Sequence, residues 1–142
     1  MKRLFVSAAV LPLLTAVAHA EVKISTATTT PVRTSTAAAG QPDHITIEAA
    51  GSIAPTAAGA AVTIDSSNAV VNAGSITFNG VSNATGIEIR PGVFMAVTHN
   101  GTISLLEDYT ATDADNDGDI DGPFAQGSGR YGIRALAGAP VN

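Results

Sequence analysis

Five aspartates alternate with other residues in one short segment, and they are the strongest chemical signal in the chain. Gly118 holds the sixth position of this segment and Ile120 the eighth, which is the order of an EF-hand-type calcium loop. Ca²⁺ takes about six to eight oxygen ligands, and a glycine permits the sharp turn that brings them together. The spacing therefore predicts a calcium site formed by Asp113, Asp115, Asp117, Asp119 and Asp121.

The match to a calcium loop covers only its first nine residues. Position 12, which normally carries a bidentate Glu, is Phe124, and no flanking helix is predicted. The segment is therefore comparable to helix-free DxDxDG loops. The alternative is a solvated acidic loop that the repulsion between its own charges keeps disordered.

No other group of residues has the spacing of a catalytic or metal site. His44 and His99 have no Cys and no second His at ligand spacing, which disfavours zinc. The segment Gly127-Ser128-Gly129 lacks the spacing of a nucleophile elbow. We therefore expect no catalytic set in this chain, and calcium is the only cofactor that the residues predict.

The elements that would position the acidic segment are revealed by an internal repeat. The stretch AAVTIDSSNAVVNAGSI at residues 60–76 returns in two parts, as TGIEI at 85–89 and VTHNGTI at 97–103. Aligning Val62 with Ile87 gives an offset of 25, and aligning Gly74 with Gly101 gives 27. Weaker copies are AAGSI at 49–53 and YGI at 131–133. A period in this range is typical of stacked repeats.

Inside each copy, apolar and polar residues alternate, which predicts short strands with one buried face. Ile45, Phe78 and Phe94 are among the expected core residues. Gly and Asn residues between the strands predict sharp corners with positive φ. The fold is therefore predicted to be all-β, a parallel β-helix (solenoid) of a few coils with an Asp-rich loop insertion. An antiparallel sandwich, with Asn79-Gly80 and Asn100-Gly101 as hairpin turns, is the competing fold.

Residues 1–20 are predicted to be a secretory signal. A basic start at Lys2 and Arg3 precedes an apolar run, and Ala18-His19-Ala20 supplies a cleavage site. The remaining chain has twelve acidic and five basic side chains and no Cys. Such an acidic surface argues against nucleic acid as a partner.

Two divisions are predicted after the signal, and the second contains the acidic insertion. Residues 21–43 form a Thr-, Ala- and Ser-rich flexible leader or a piece that caps the first coil, and residues 44–142 form the coils. The acidic insertion spans 107–129. Because the repeat stops partway through a coil, we expect an open end, and self-association through that end is a possible interaction.

Several segments together resemble the N-terminal part of a bacterial autotransporter passenger. They are the signal, TTTPVRTS at 28–35, the GSI and NAGSI coils, and DADNDGDIDGPFAQGSGRYGIR at 113–134. The resemblance implies a right-handed parallel β-helix that is exported and displayed on the outer membrane by a C-terminal β-barrel, which this chain lacks. It implies no catalytic residues.

The predicted function is that of an exported, cell-surface passenger with a structural or adhesive role, a calcium-binding loop and an extracellular surface ligand. One alternative is the beginning of an enzymatic β-helix, a lyase or hydrolase whose active site lies downstream. The other is a self-contained extracellular calcium-binding module.

Overall fold

The computed structural model describes residues 21–122 and 127–139, which form a parallel β-solenoid. Twelve strands are arranged in three parallel sheets of four strands each. Each successive coil contributes one strand to each sheet. The first sheet holds β1, β4, β7 and β10, the second β2, β5, β8 and β11, and the third β3, β6, β9 and β12. The strands are β1 (Val22–Ile24), β2 (Ala27–Thr28), β3 (Val32–Arg33), β4 (Ile45–Ile47), β5 (Ser52–Ile53), β6 (Gly59–Ile64), β7 (Val70–Asn72), β8 (Ser75–Asn79), β9 (Ala84–Ile89), β10 (Val97–His99), β11 (Thr102–Leu106) and β12 (Tyr131–Ala135).

The register between coils is the one that the sequence repeat predicts. Val62 pairs with Ile87, and Ile87 pairs in turn with Ile133 of the weaker YGI copy. In the second sheet, Ile53, Ile76 and Ile103 lie at one register position on successive strands. All pairings between these strands are parallel, so the antiparallel sandwich is wrong. Asn79-Gly80 does not form a hairpin, because the strands on either side of it belong to different sheets.

The core consists of aliphatic side chains stacked in rows through the coils. Ile45, Ile76 and Ile87 are fully buried, and Phe78 is 1% exposed. Burying an isoleucine side chain contributes about 1.5–3 kcal/mol. Because the chain has no Cys, these rows and the backbone ladders between coils stabilise the fold without disulfides.

Phe94 is not a core residue, contrary to the prediction. It is 74% exposed, while its neighbour Val93 is 7% exposed and joins the core. The reason is that Phe94 belongs to the corner between β9 and β10 and not to a strand. The turn at Pro91 and Gly92, where Gly92 has φ +73°, changes which side chain points inward.

The glycines of the NAGSI copies serve a different purpose from the one predicted. Gly74 and Gly101 do not have positive φ, although Gly80 does. At Gly74 a Cβ atom would lie 2.3 Å from the carbonyl oxygens of Glu48 and Gly51. At Gly101 it would lie 2.1 Å from the Gly74 carbonyl oxygen. Glycine is therefore required at this corner because the backbones of successive coils approach too closely for a side chain.

The segment before the repeats contains strands and not only irregular chain. Val22, Lys23 and Ile24 pair with Ile45, Thr46 and Ile47, and Val32 pairs with Val62. Strands β1, β2 and β3 therefore form a coil of their own, which covers one end of the second coil. Residues rich in Thr and Val suit strands when a neighbouring coil supplies the ladder.

The predicted signal at residues 1–20 lies outside the described residues. Within the described ranges, no helix has the length and apolar character needed to cross a membrane.

Candidate functional site

The acidic segment lies in a long connection between β11 and β12, as the repeat analysis predicts. In the other coils, a few residues join the second sheet to the third, as between Asn79 and Ala84. In the fourth coil the same corner runs from Leu106 to Tyr131. Because β12 returns to the register of β9, the insertion projects from the side of the stack without disturbing the coils.

Both ends of the insertion are attached to the third coil. The Gly80 N–H donates to the carbonyl oxygen of Leu106 over 2.9 Å, and the Asn83 N–H donates to that of Ser128 over 2.8 Å. The Arg130 side chain donates through Nε to the carbonyl oxygen of Val81 over 2.9 Å. The loop is thus held at both ends by the short corner beneath it.

An ion pair between Glu107 and Arg130 joins the first and last residues of this connection. The Arg130 side chain is 15% exposed and that of Glu107 32%, so the pair is shielded from solvent more than a surface pair. Sequence analysis missed this contact. The signal that could have revealed it is the opposite charge of the two residues that flank the acidic segment.

The backbone of the acidic segment folds into a tight loop. Asn116 has φ +60° and Gly118 has φ +100°, a region that Asn and Gly tolerate better than other residues. A Cβ atom on Gly118 would meet nothing within 4 Å, so the backbone angle and not crowding explains the glycine. This agrees with the turn predicted at position 6.

Aspartate side chains accept hydrogen bonds from the loop's own backbone. Asp113 accepts from the N–H of Asp117 over 3.2 Å and from that of Gly118 over 3.1 Å, one bond on each carboxylate oxygen. Asp115 accepts from Asp117, and Asp117 accepts from Asp119 over 3.1 Å. These bonds orient the carboxylates and leave lone pairs on the same oxygens for another ligand.

Three of the five predicted ligands come together. Asp113, Asp115 and Asp117 each offer a carboxylate oxygen, and these oxygens all lie within 4.8 Å of one another. At about 4 Å, two unit charges repel by about 1 kcal/mol in water, and by more where water is excluded. A cation between the three carboxylates would remove this repulsion.

Asp119 and Asp121 do not belong to this group of three. The Asp121 carboxylate accepts from the Ala114 N–H over 2.7 Å, and its own N–H donates to the Thr112 carbonyl oxygen over 3.1 Å. Asp121 therefore closes the base of the loop. In calcium loops, position 7 provides a backbone carbonyl and position 9 often acts through a water. The Asp121 carboxylate is already engaged by the loop's own backbone, which agrees with an indirect role at position 9.

Phe124, at position 12, lies outside the described residues. His99 does lie where the repeat alignment puts it, in register with Asn72. The Asn72 side chain donates through Nδ2 to Nδ1 of His99 over 3.1 Å. His99 is therefore the last residue of β10 and not part of a corner, and it is hydrogen-bonded to the coil below.

Comparison with known proteins identifies no relative of this chain. The assignment to the autotransporter passengers rests on the residues alone and stays a hypothesis. No protein-family model, no curated protein and no solved structure matches the chain.

Proposed function

We propose that this chain is an exported β-solenoid with a structural or adhesive role at the cell exterior, and that its lateral loop binds one Ca²⁺. The observation that carries the metal proposal is the convergence of Asp113, Asp115 and Asp117 within 4.8 Å. Export is supported by the signal pattern of residues 1–20. Display on the outer membrane, as for the passengers that the sequence resembles, belongs to the same proposal.

Calcium fits this loop better than the other common metal ions. The donors are carboxylate oxygens, which suit hard cations, and no Cys or His lies among them. The carbonyl of Asp119 and a water held by Asp121 would supply further oxygens. Without a bidentate Glu at position 12, we expect a dissociation constant of about 10⁻⁴–10⁻³ M, as in extracellular calcium modules.

The expected consequence of binding is a more ordered insertion. The loop is anchored at both ends, but between its anchors it consists mainly of exposed side chains, with no strand from residue 107 to 122. Since the empty loop carries the repulsion between its carboxylates, binding and ordering are coupled. A fixed side loop on a stiff solenoid is suited to presenting a surface to an extracellular ligand.

Calorimetric titration of the chain with Ca²⁺ tests the metal site. We expect one site of about millimolar affinity in the wild type and little binding in an Asp115→Asn/Asp117→Asn double variant. The single variants Asp115→Asn and Asp119→Asn are a matched pair, because each removes one charge from the same loop. If both single variants weaken binding equally, the loop attracts cations only through its total charge, and the site is wrong.

Cell fractionation tests export. The proposal predicts that a protease added to intact cells degrades the protein. A protein that is recovered only from the cytoplasm would contradict it.

Besides calcium binding, the exposed end strands of the solenoid favour association between two copies of the chain. Among the described strands, the three at each end of the stack, β1 to β3 and β10 to β12, pair on one side only. Ile133 of β12 is 47% exposed, whereas Ile87 at the same register position is fully buried. Unpaired strands with exposed apolar residues favour association with a second copy. Sedimentation velocity should detect a dimer that Ile133→Lys weakens, while a monomer at high concentration would contradict this interaction.

A further inference from the structure

Three of the five basic side chains that follow residue 20 line one groove on the outer face of the third sheet. They are Arg33, Arg90 and Arg134, and the groove has a volume of about 570 Å³. The chain beyond residue 20 carries twelve acidic side chains. Its basic residues are therefore concentrated on one surface, and that concentration points to a ligand with negative charge.

The groove runs across the strands, in the direction in which the coils stack. Arg33 pairs with Thr63, Thr63 with Glu88, and Glu88 with Arg134, so these residues form one row through four coils. Neighbouring strands lie about 4.8 Å apart, which separates Arg33 from Arg134 by about 14 Å along the row. An occupant that contacts both arginines must therefore be elongated.

The charges of the groove are partly balanced by its own ion pairs. Arg33 lies 3.2 Å from Asp65, and Arg90 lies 3.1 Å from Glu88. Within the part of the chain that the structure describes, Arg134 has no carboxylate partner. Its guanidinium lies 4.7 Å from the centre of the Tyr131 ring. Each guanidinium has five N–H donors, so even the paired arginines keep donors for a ligand.

The middle of the groove is polar and not aromatic. Thr63 and Thr85 line it and are each 4% exposed, and Asn83 lies at its side. No aromatic ring is among the lining residues. Nucleic acid bases would therefore lack the stacking surface on which single strands depend. Glu88 also lines the groove between Arg33 and Arg134, and its ion pair with Arg90 reduces its repulsion of an anionic ligand. The hydroxyl and amide groups beside it match a ligand with hydroxyls between separated carboxylates.

We propose that this groove binds a linear acidic polysaccharide. Its carboxylates pair with Arg134 and Arg33, and its hydroxyls form hydrogen bonds with Thr63, Thr85 and Asn83. Arginine suits this role because its planar guanidinium pairs with carboxylates through two parallel hydrogen bonds. The proposal goes beyond the calcium loop and is independent of it, because no residue of the groove belongs to the acidic segment.

Binding of a fluorescently labelled galacturonic acid hexamer to the full chain tests the proposal. Measurements are made at physiological salt with EDTA present, so that neither the acidic loop nor calcium bridges contribute. We expect measurable binding and a loss of about tenfold in Arg134→Gln, which removes one charged hydrogen-bonding partner. Lys23→Gln is the matched control, since it removes the same charge from β1 of the first sheet and should leave binding unchanged.

Other probes distinguish the class of ligand. A neutral maltohexaose should not bind, and a hexaglutamate peptide should bind much more weakly than the acidic sugar. Ala58→Phe should block the groove without changing its charge. Equal binding of hexaglutamate or of single-stranded DNA would overturn the sugar assignment. Equal losses in Arg134→Gln and Lys23→Gln, or full binding by Ala58→Phe, would overturn the groove as the site.

Discussion

Thr34 and Asp65 bind each other reciprocally across two coils. The Thr34 hydroxyl donates to Oδ1 of Asp65 over 3.3 Å and accepts from the Asp65 N–H over 3.0 Å. The same hydroxyl accepts from the Ser66 N–H over 3.1 Å. Asp65 also accepts from the Ser35 N–H over 2.9 Å. This pair joins the corner after β3 to the corner after β6, so it attaches the first coil to the second.

Replacing the Thr34 hydroxyl by a methyl group should destabilise the chain. Thr34 is fully buried, and Thr34→Val would leave two backbone N–H groups without their acceptor. The expected loss is about 1–3 kcal/mol in the free energy of unfolding, measured with urea. Thr36→Val is the control, because Thr36 belongs to the same short 3₁₀ turn but is exposed. Equal effects of the two variants would mean that the hydroxyl contributes nothing.

Asp65 should make stability depend on pH in the acidic range. Burial acts to raise the pKa of Asp65, but the hydrogen bonds from Ser35 and the charge of Arg33 outweigh it and lower the pKa below the ordinary value of 3.8. The folded state therefore binds the proton less tightly than the unfolded state. Its stabilising contribution is complete above the unfolded pKa and is lost as the pH falls through the lower folded pKa.

The comparison of wild type with Asp65→Asn measures this contribution. The wild type should be more stable at pH 7, and its advantage should shrink as the pH falls below about 4. Contributions from the other carboxylates cancel in the difference between the two proteins. An advantage that stays constant from pH 7 to pH 2 would contradict the role of the Asp65 charge.

Gly74 and Gly132 should respond differently to the same substitution. Gly74→Ala would force a Cβ atom to within 2.3 Å of two carbonyl oxygens, so the coils must move apart. We expect a loss of at least about 1–3 kcal/mol, the usual cost of overpacking. Gly132 lies in β12 with nothing within 4 Å of its Cβ position and without positive φ. Gly132→Ala should therefore be neutral or slightly stabilising. The free energies of unfolding of the two variants, measured with urea, test this difference.

Calcium should protect the insertion from proteolysis, and magnesium should not. Ca²⁺ accepts an irregular arrangement of oxygen ligands, whereas Mg²⁺ demands a tighter octahedron and releases water reluctantly. Mass spectrometry after brief digestion should show fewer cleavages between residues 107 and 130 with millimolar Ca²⁺. Equal protection by Mg²⁺ would point to a general effect of divalent charge.

The repeat made the fold predictable from the sequence. The recurring order of small and aliphatic residues specifies coils of one type, and Val62 and Ile87 pair as their alignment requires. The same logic located the insertion, because residues that match no coil must leave the stack. Of the five aspartates that the spacing predicts as ligands, Asp113, Asp115 and Asp117 converge, since the turn that gathers them is local.

Other features were decided only by tertiary structure. Whether Phe94 or Val93 enters the core depends on how the corner turns, and the first coil forms because the second supplies a ladder for its short strands. Arg33 lies in the first coil, which the repeat alignment did not include, so only the stacking of that coil on the second places it in the same row as Arg134. Local patterns encode contacts between neighbours in sequence and between equivalent repeat positions. Contacts between unlike positions of different coils depend on the path of every corner between them.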